Sequence, residues 1–134
     1  TVIVQVGIND LRTIPMFPEY RATIIQNCKA NLQTIVNLAL EAGVREVILT
    51  TVFFPGPLPP ERRILWGNQV TVAVSEVNAY IRSLEGDRVV VFDAAQNLSN
   101  GAAGTSGRYS RDYLHLNAEG YAALNRELAR LLDE

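Results

Sequence analysis

The chain is poor in the residues that form cross-links, metal centres and membrane spans. Its single cysteine excludes an internal disulfide and any metal site built from several cysteines. Charged residues make up only 19% of the chain and the net charge is −2, which argues against nucleic acid as the main partner. No apolar run approaches the roughly 18 residues that a spanning helix needs, so no membrane span is expected. The single histidine, His115, is the one imidazole available for acid–base chemistry near neutral pH.

The residues that are present predict a globular domain. Hydrophobic residues make up 48% of a chain of 134 residues, which is enough for a core, and we expect one domain over residues 1–134. The pattern from Thr1 to Val6 is already that of a buried strand. Because natural domains rarely begin inside their core, we expect an N-terminally incomplete domain from which an upstream segment has been removed.

Three strand-like runs alternate with three helical patterns. The runs are Val2–Val6, Val47–Phe54 and Val89–Phe92, and their β-branched residues suit parallel strands covered on both faces. This alternation predicts an α/β fold with an open parallel sheet between helix layers. Sites in such folds form beyond the carboxyl ends of the strands. The segments expected to leave from that edge are Gly7–Phe17, Pro55–Asn68 and Asp93–His115.

Apolar residues spaced three and four apart predict the buried face of each helix. For the first helix, from about Pro18 to Ala42 with Gly43 as its stop, they are Ile24, Cys28, Leu32 (or Asn31), Ile35, Ala39 and Ala42. For the second helix, ended by Gly86, they are Val70, Val74, Val77, Ile81 and Leu84. For the third helix, capped by Asn117, they are Tyr121, Leu124, Leu128 and Leu131.

Two polar groups follow predicted strands at this edge. Asn9 comes just after the first strand and Gly7, where its amide could face a developing oxyanion or simply form a turn. Asp112 precedes His115 by three residues, so its carboxylate could hold the imidazole tautomer and stabilise the charged ring. A lone histidine can equally be structural.

Together these segments resemble the SGNH hydrolases, also called GDSL-type esterases and lipases. Gly7-Ile8-Asn9-Asp10 resembles the G-x-N-D block of that family, and the run from Asp112 to Tyr121 resembles its D-x-x-H-L-N-x-x-G-Y block. The resemblance implies a three-layer α/β/α flavodoxin-like fold. It also implies hydrolysis of a small-molecule ester by a Ser–His–Asp acyl-enzyme mechanism, with no metal or organic cofactor. His115 would be the general base, Asp112 would orient it, Asn9 would donate to the oxyanion, and Gly7 would shape the oxyanion turn.

The nucleophile block of the family is absent. None of the serines present lies on a strand-to-helix turn that would expose a nucleophile. The serine is therefore expected on a segment absent from this chain, and the chain alone is expected to be catalytically silent. The resemblance further implies that the N-terminal strands of the sheet are missing, which exposes the edge of Val2–Val6. Such an edge is expected to pair with an upstream fragment of the same protein or with a second copy of the chain.

Several alternatives stay open at this point. The chain could be a binding module on a degenerate SGNH fold, or an unrelated flavodoxin-like domain that binds a small ligand, although the latter leaves the spacing of Asp112 and His115 unexplained. The proline-rich run Phe53–Pro60 could be a rigid connection or a substrate-pocket wall. The arginines near these segments could be solvated or could bind an anionic substrate group; they are Arg62, Arg63, Arg108 and Arg111. Cys28 is expected to be a buried, inert thiol.

Overall fold

The computed structural model shows an α/β fold with a parallel sheet, which confirms the predicted class. The structure describes residues 1–63, 66–99, 101 and 104–133. Parts of the predicted second and third exit segments lie outside the described residues; they are Ile64, Leu65, Asn100, Ala102 and Ala103. The strands are β1 (Val2–Val4), β2 (Val47–Thr50) and β3 (Val89–Phe92). The helices are α1 (Ile8–Leu11), α2 (Arg21–Glu41), α3 (Asn68–Ser83), α4 (Ala94–Asn97) and α5 (Ala118–Asp133).

The chain divides into two compact units. One unit comprises Thr1–Val52 and Ile64–Phe92 and contains the sheet with α1, α2 and α3. The other comprises Phe53–Arg63 and Asp93–Glu134 and contains α4 and α5 with two short 3-10 turns. No helix within the described residues is long and apolar enough to cross a membrane.

The sheet runs in the order β1-β2-β3, with β2 at its centre. Every residue of β2 is buried, as expected for a parallel strand with a neighbour on each side. β1 lies at the edge, as predicted, and it is more exposed: Ile3 keeps 45% of its surface accessible and Val2 keeps 37%. Among the described strands, β1 therefore has one edge that no other strand covers.

Two strands are shorter than the sequence predicts, and the backbone explains both differences. β1 ends at Val4 rather than Val6, because Gly7 turns the chain into α1 with a left-handed φ of 117°. β2 ends at Thr50 rather than Phe54, and its pairing with β3 ends there too. Beyond Thr50, the backbone N–H and carbonyl of Val52 form hydrogen bonds with the side chain of Asn78 instead of with a neighbouring strand. The predicted limits of β3 are confirmed.

The three predicted helices lie close to their predicted positions, and the buried faces of two of them agree with the prediction in part. α2 buries Ile25, Cys28, Leu32 and Val36, whereas Ile35 of the predicted stripe is 38% exposed. The apolar residues of α2 extend around more of the helix surface than one buried face needs, and the rest of the chain covers only part of that apolar surface. On α5, Leu124 is buried as predicted, but Tyr121 is 54% exposed because Gly120, its neighbour, faces the packed side. The predicted buried face of α3 is confirmed at Val70, Val74, Val77 and Ile81.

Candidate active site

Asp112 and His115 form a hydrogen-bonded pair. The imidazole Nδ1 of His115 lies 2.9 Å from Oδ2 of Asp112 and 3.1 Å from Oδ1. A carboxylate can only accept, so Nδ1 must carry the proton, and the lone pair of the neutral ring then lies on Nε2. Nε2 has no hydrogen-bond partner within the described residues. The pair therefore presents a basic nitrogen that is free to receive a proton.

The backbone of the same turn fixes the Asp112 carboxylate. Its Oδ1 accepts the backbone N–H of His115 at 2.7 Å and that of Leu114 at 2.8 Å. These two N–H groups, followed by the His115 ring, hold the pKa of Asp112 well below its ordinary value. Asp112 is therefore a carboxylate throughout the neutral range, even though its side chain is 42% exposed.

The turn that carries the pair is closed at its base. The backbone N–H of Arg111 donates to the carbonyl of His115 at 2.9 Å, and Ser110 pairs with Leu116 in an antiparallel bridge. Leu116 is only 4% exposed, so a buried side chain anchors the turn. The spacing of three between Asp112 and His115 thus follows from a compact, self-bonded turn.

Asn117 joins this turn to α5. Its Oδ1 accepts the backbone N–H of Gly120 at 2.9 Å, which confirms the predicted cap, and its Nδ2 donates to the carbonyl of Arg108 at 2.7 Å. Gly120 packs so tightly that a Cβ there would lie 2.6 Å from the carbonyl oxygen of Tyr109. The asparagine and glycine of the D-x-x-H-L-N-x-x-G-Y pattern therefore bind the helix to the turn that holds the histidine.

Gly7 and Asn9 lie together at the start of α1, in the other unit. A Cβ on Gly7 would lie 3.3 Å from Cγ2 of Val52 and 3.4 Å from Sγ of Cys28, and the φ of 117° is one that residues with a side chain rarely adopt. Asn9 is exposed, and its side chain has no hydrogen-bond partner among the residues described. The turn therefore leaves the Asn9 amide available to a ligand.

The family follows from comparison with known proteins. The sequence profile of the GDSL-like Lipase/Acylhydrolase family matches residues 1–123. The chain belongs to this family. Its two motifs thus lie in a chain of the GDSL-like lipase/acylhydrolase family, and the predicted SGNH resemblance is confirmed.

A solved structure from Streptococcus pneumonia, described provisionally as a platelet activating factor, shares the fold of this GDSL-like chain. The TM-score is 0.66 and the sequence identity is 18%, so the likeness shows the fold alone. The match covers 97% of this chain and 58% of the other, so the GDSL-like chain spans little more than half the length of that structure. Comparison with curated proteins gives no match.

The arginines predicted near the site of this GDSL-like chain differ in their surroundings. Arg108 pairs with Glu119 at 2.8 Å, so its charge is already matched. Arg111 lies 3.7 Å from the Asp112 carboxylate; the Arg111 side chain is exposed and that of Asp112 is half exposed. Arg62 lies over the ring of Tyr113, 5.7 Å from its centroid. Exposed pairs such as these contribute little to stability.

Cys28 has the environment expected of an unreactive thiol. It is 2% exposed, and this burial, with a smaller contribution from the Asp10 charge, raises the pKa of the thiol to about 11. A thiol with such a pKa is almost wholly protonated near neutral pH, which argues against a nucleophilic role.

Sequence reasoning missed Asn78, which lies on the buried side of α3 and is 1% exposed. Its side chain bonds to both the N–H and the carbonyl of Val52. Because the Val52 side chain lies beneath Gly7, Asn78 supports the turn that carries Asn9. The available signal was a polar residue between Val77 and Ile81 on an otherwise apolar helix face.

Proposed function

We propose that the chain supplies the histidine and aspartate of an ester hydrolase that works by a Ser–His–Asp acyl-enzyme mechanism. The observation that carries the proposal is the bond of 2.9 Å between His115 Nδ1 and Asp112 Oδ2, in a chain of the GDSL-like lipase/acylhydrolase family. This bond orients Nε2 as the proton acceptor. The substrate class is a small-molecule ester.

In the proposed reaction, a serine hydroxyl attacks the ester carbonyl carbon while His115 Nε2 takes its proton. The tetrahedral intermediate then expels the alcohol, which receives that proton from His115, and an acyl-enzyme forms. Water, activated by the same nitrogen, attacks the acyl-enzyme and releases the acid. Asp112 stays ionised throughout and stabilises the imidazolium.

The proposed oxyanion donor is the side-chain amide of Asn9, and the turn at Gly7 sets its position. The proposal rests on the G-x-N-D pattern and on the exposure of Asn9, whose amide has no competing partner within the described residues. Oxyanion donors are each worth about 3 kcal/mol in the transition state.

The nucleophilic serine is proposed to come from a segment outside this chain. The hydroxyls of Ser75, Ser83 and Ser110 each donate to a backbone carbonyl. No serine within the described residues bonds to the free Nε2 of His115. The chain by itself is therefore expected to be silent towards esters.

Hydrolysis of p-nitrophenyl acetate by the intact protein, with fluorophosphonate labelling of its serine, tests the proposal. His115→Ala is expected to abolish both turnover and labelling, and Asp112→Asn to lower turnover roughly 10²–10⁴-fold. Replacement of an exposed residue of α5, Asn125→Ala, serves as the matched control. Normal turnover by the His115→Ala variant would refute the assignment.

The second candidate function is binding without catalysis on a degenerate fold. The free Nε2, to which no serine among the described residues is hydrogen-bonded, favours this reading. An intact protein that binds esters but neither hydrolyses them nor reacts with the fluorophosphonate would establish it.

We further propose that the open edge of β1 pairs with another strand, from an upstream fragment of the same protein or from a second copy. Ile3 and Val6 are 45% and 47% exposed along this segment. A cavity of about 320 Å³ lies at the end of the strand and is lined in part by Val6, Leu32 and Ile35. Strand pairing would cover these apolar side chains and the open backbone edge together.

A further inference from the structure

The proline-rich segment after β2 binds the turn that carries Asp112 and His115. The backbone N–H of Gly56 donates to the carbonyl of Tyr113 at 3.0 Å. Tyr113 directly follows Asp112 in the chain and precedes His115 by two residues. The bond therefore attaches Gly56 to the backbone between the two members of the pair.

The contact at Gly56 is too close for any side chain. A Cβ built there would lie 2.2 Å from Oγ of Ser110, 2.7 Å from Cβ of Ser110 and 3.3 Å from the carbonyl oxygen of Asp112. Real Cβ atoms essentially never approach other heavy atoms within 3.0 Å, so one of the two backbones would have to move. The backbone at Asp112 is among the groups that would be displaced.

Hydrogen bonds from Thr105 hold the proline-rich segment just before Gly56, so the backbone of Gly56 is fixed in position. The Thr105 hydroxyl donates to the carbonyl of Phe54 at 2.5 Å, and the Thr105 backbone N–H donates to the carbonyl of Pro55 at 2.9 Å. Thr105 is 3% exposed and Pro55 is buried. A clash at Gly56 would therefore move the turn of Asp112, which is half exposed, more readily than the proline-rich segment.

We propose that Gly56 is a positioning residue for the Asp112–His115 pair, setting the place of the pair through its contacts with Tyr113 and Ser110. The role in catalysis rests on the proposed hydrolase function, whereas the role in geometry does not. Catalytic groups displaced by about 1 Å lose about 100-fold in rate. The absence of a side chain at Gly56 is then a requirement of the active site and not only of the loop.

The test compares Gly56→Ala with a rescue variant and a matched control. Gly56→Ala combined with Ser110→Gly removes both atoms closer than 3.0 Å to the new methyl, and Ser110→Gly alone is its reference. Gly86→Ala is the control, because a Cβ there meets nothing within 4 Å. Two measurements are made on the intact protein: the ring-nitrogen NMR resonances of His115, and kcat and KM for p-nitrophenyl acetate. His115 is the single histidine, so its resonances need no further assignment.

Gly56→Ala is expected to shift the His115 ring resonances and to lower kcat about 10- to 100-fold with KM within twofold. The rescue variant is expected to restore both, and Gly86→Ala to change neither. Unchanged resonances in folded Gly56→Ala, or a shift that Ser110→Gly does not reverse, would overturn the positioning role. If Gly56→Ala does not fold, Ser110→Thr takes its place, because the added methyl group crowds the contact between Gly56 and residue 110 from the side of Ser110. Unchanged His115 resonances in folded Ser110→Thr would then overturn the positioning role. Absence of turnover in the wild-type protein would overturn the hydrolase function alone, since the NMR signal needs no catalysis.

Discussion

The side chain of Asn78 takes the place of a neighbouring strand for Val52. Its Oδ1 accepts the Val52 N–H and its Nδ2 donates to the Val52 carbonyl, both at 2.7 Å, in a site where Asn78 is 1% exposed. Both backbone groups of Val52 are thereby satisfied where β2 has ended. An amide is the side chain that can serve a donor and an acceptor together in this way.

Asn78→Ala is expected to lower the free energy of unfolding by about 2–4 kcal/mol, because it leaves a buried N–H and a buried carbonyl of Val52 without partners. Urea denaturation followed by circular dichroism measures the change. The control is Asn37→Ala, which removes an exposed side-chain bond to Gln33 and should cost less than about 0.5 kcal/mol. Equal losses in the two variants would contradict the role of the Val52 contact.

The depressed pKa of Asp112 predicts a specific dependence of stability on pH. A carboxyl group whose pKa is lower in the folded state stabilises the fold above its unfolded pKa, about 3.9, and loses that contribution as pH falls further. The Tm of the wild type should therefore exceed that of Asp112→Asn at pH 7, and the gap should narrow as the pH falls below about 4.

Thermal unfolding of both proteins across this range measures the gap. Asp87→Asn is the control, because Asp87 is exposed and has no hydrogen bond or ion pair within the described residues. The difference in Tm between Asp87→Asn and the wild type should not narrow below about pH 4. A gap for Asp112→Asn that is as wide at pH 3 as at pH 7 would contradict the bonding seen in the turn.

Cys28 should resist alkylation in the folded protein. With a thiol pKa of about 11, roughly one thiol in a thousand is ionised at pH 8, and the group is 2% exposed. Iodoacetamide is expected to label it slowly in buffer and completely in denaturant, as measured by intact mass. Rapid labelling of the native protein would show that the packing around Cys28 is looser than described.

Replacement of Asn9 tests the proposed oxyanion donor. Asn9→Ala is expected to lower kcat of the intact protein about 100-fold or more, because an oxyanion donor contributes about 3 kcal/mol to the transition state. Stability should change little, since Asn9 is exposed and its side chain makes no hydrogen bond within the described residues. The ratio of kcat values, with Tm as the control for folding, measures the effect. Unchanged kcat would assign Asn9 to the turn alone.

The sequence predicts the fold well where burial follows the simple periods of strands and helices. β3 and the buried face of α3 agree with their predictions because each packs on continuous apolar neighbours. The predicted ends of β1 and β2 were wrong. Gly7 with its left-handed φ ends β1, and beyond β2 the buried Asn78 bonds to Val52 in place of a strand; neither residue changes the apolar pattern of the two strand-like runs. The predicted face of α2 is confirmed at Cys28 and Leu32 and wrong at Ile35, because the apolar arc of this helix is wider than the surface that the chain covers.

The Asp112–His115 pair could be predicted because both partners lie in one turn, three residues apart. The support beneath the pair could not be predicted in this way. The contact of Gly56 with Ser110 joins residues 54 positions apart, and nothing in the local pattern around either residue indicates it. Asn78 and Val52 are likewise 26 positions apart. The sequence shows Asn78 as a polar residue on an apolar helix face, but the partner of such a long-range contact leaves no periodic signal and becomes visible only in the structure.

The open edge of β1 yields the remaining prediction. A parallel strand with one bare edge and exposed Ile3 is stabilised when another strand pairs with it, so association should depend on this edge. Ile3→Lys places a charge on that edge and is expected to reduce self-association or capture of an upstream fragment, as measured by size-exclusion chromatography with light scattering. Leu132→Lys, at a site that is 51% exposed on α5, changes charge and hydrophobicity equally and should leave association unchanged. A wild-type chain that is a stable, monodisperse monomer in dilute solution would contradict the pairing, because its bare edge would then need no partner.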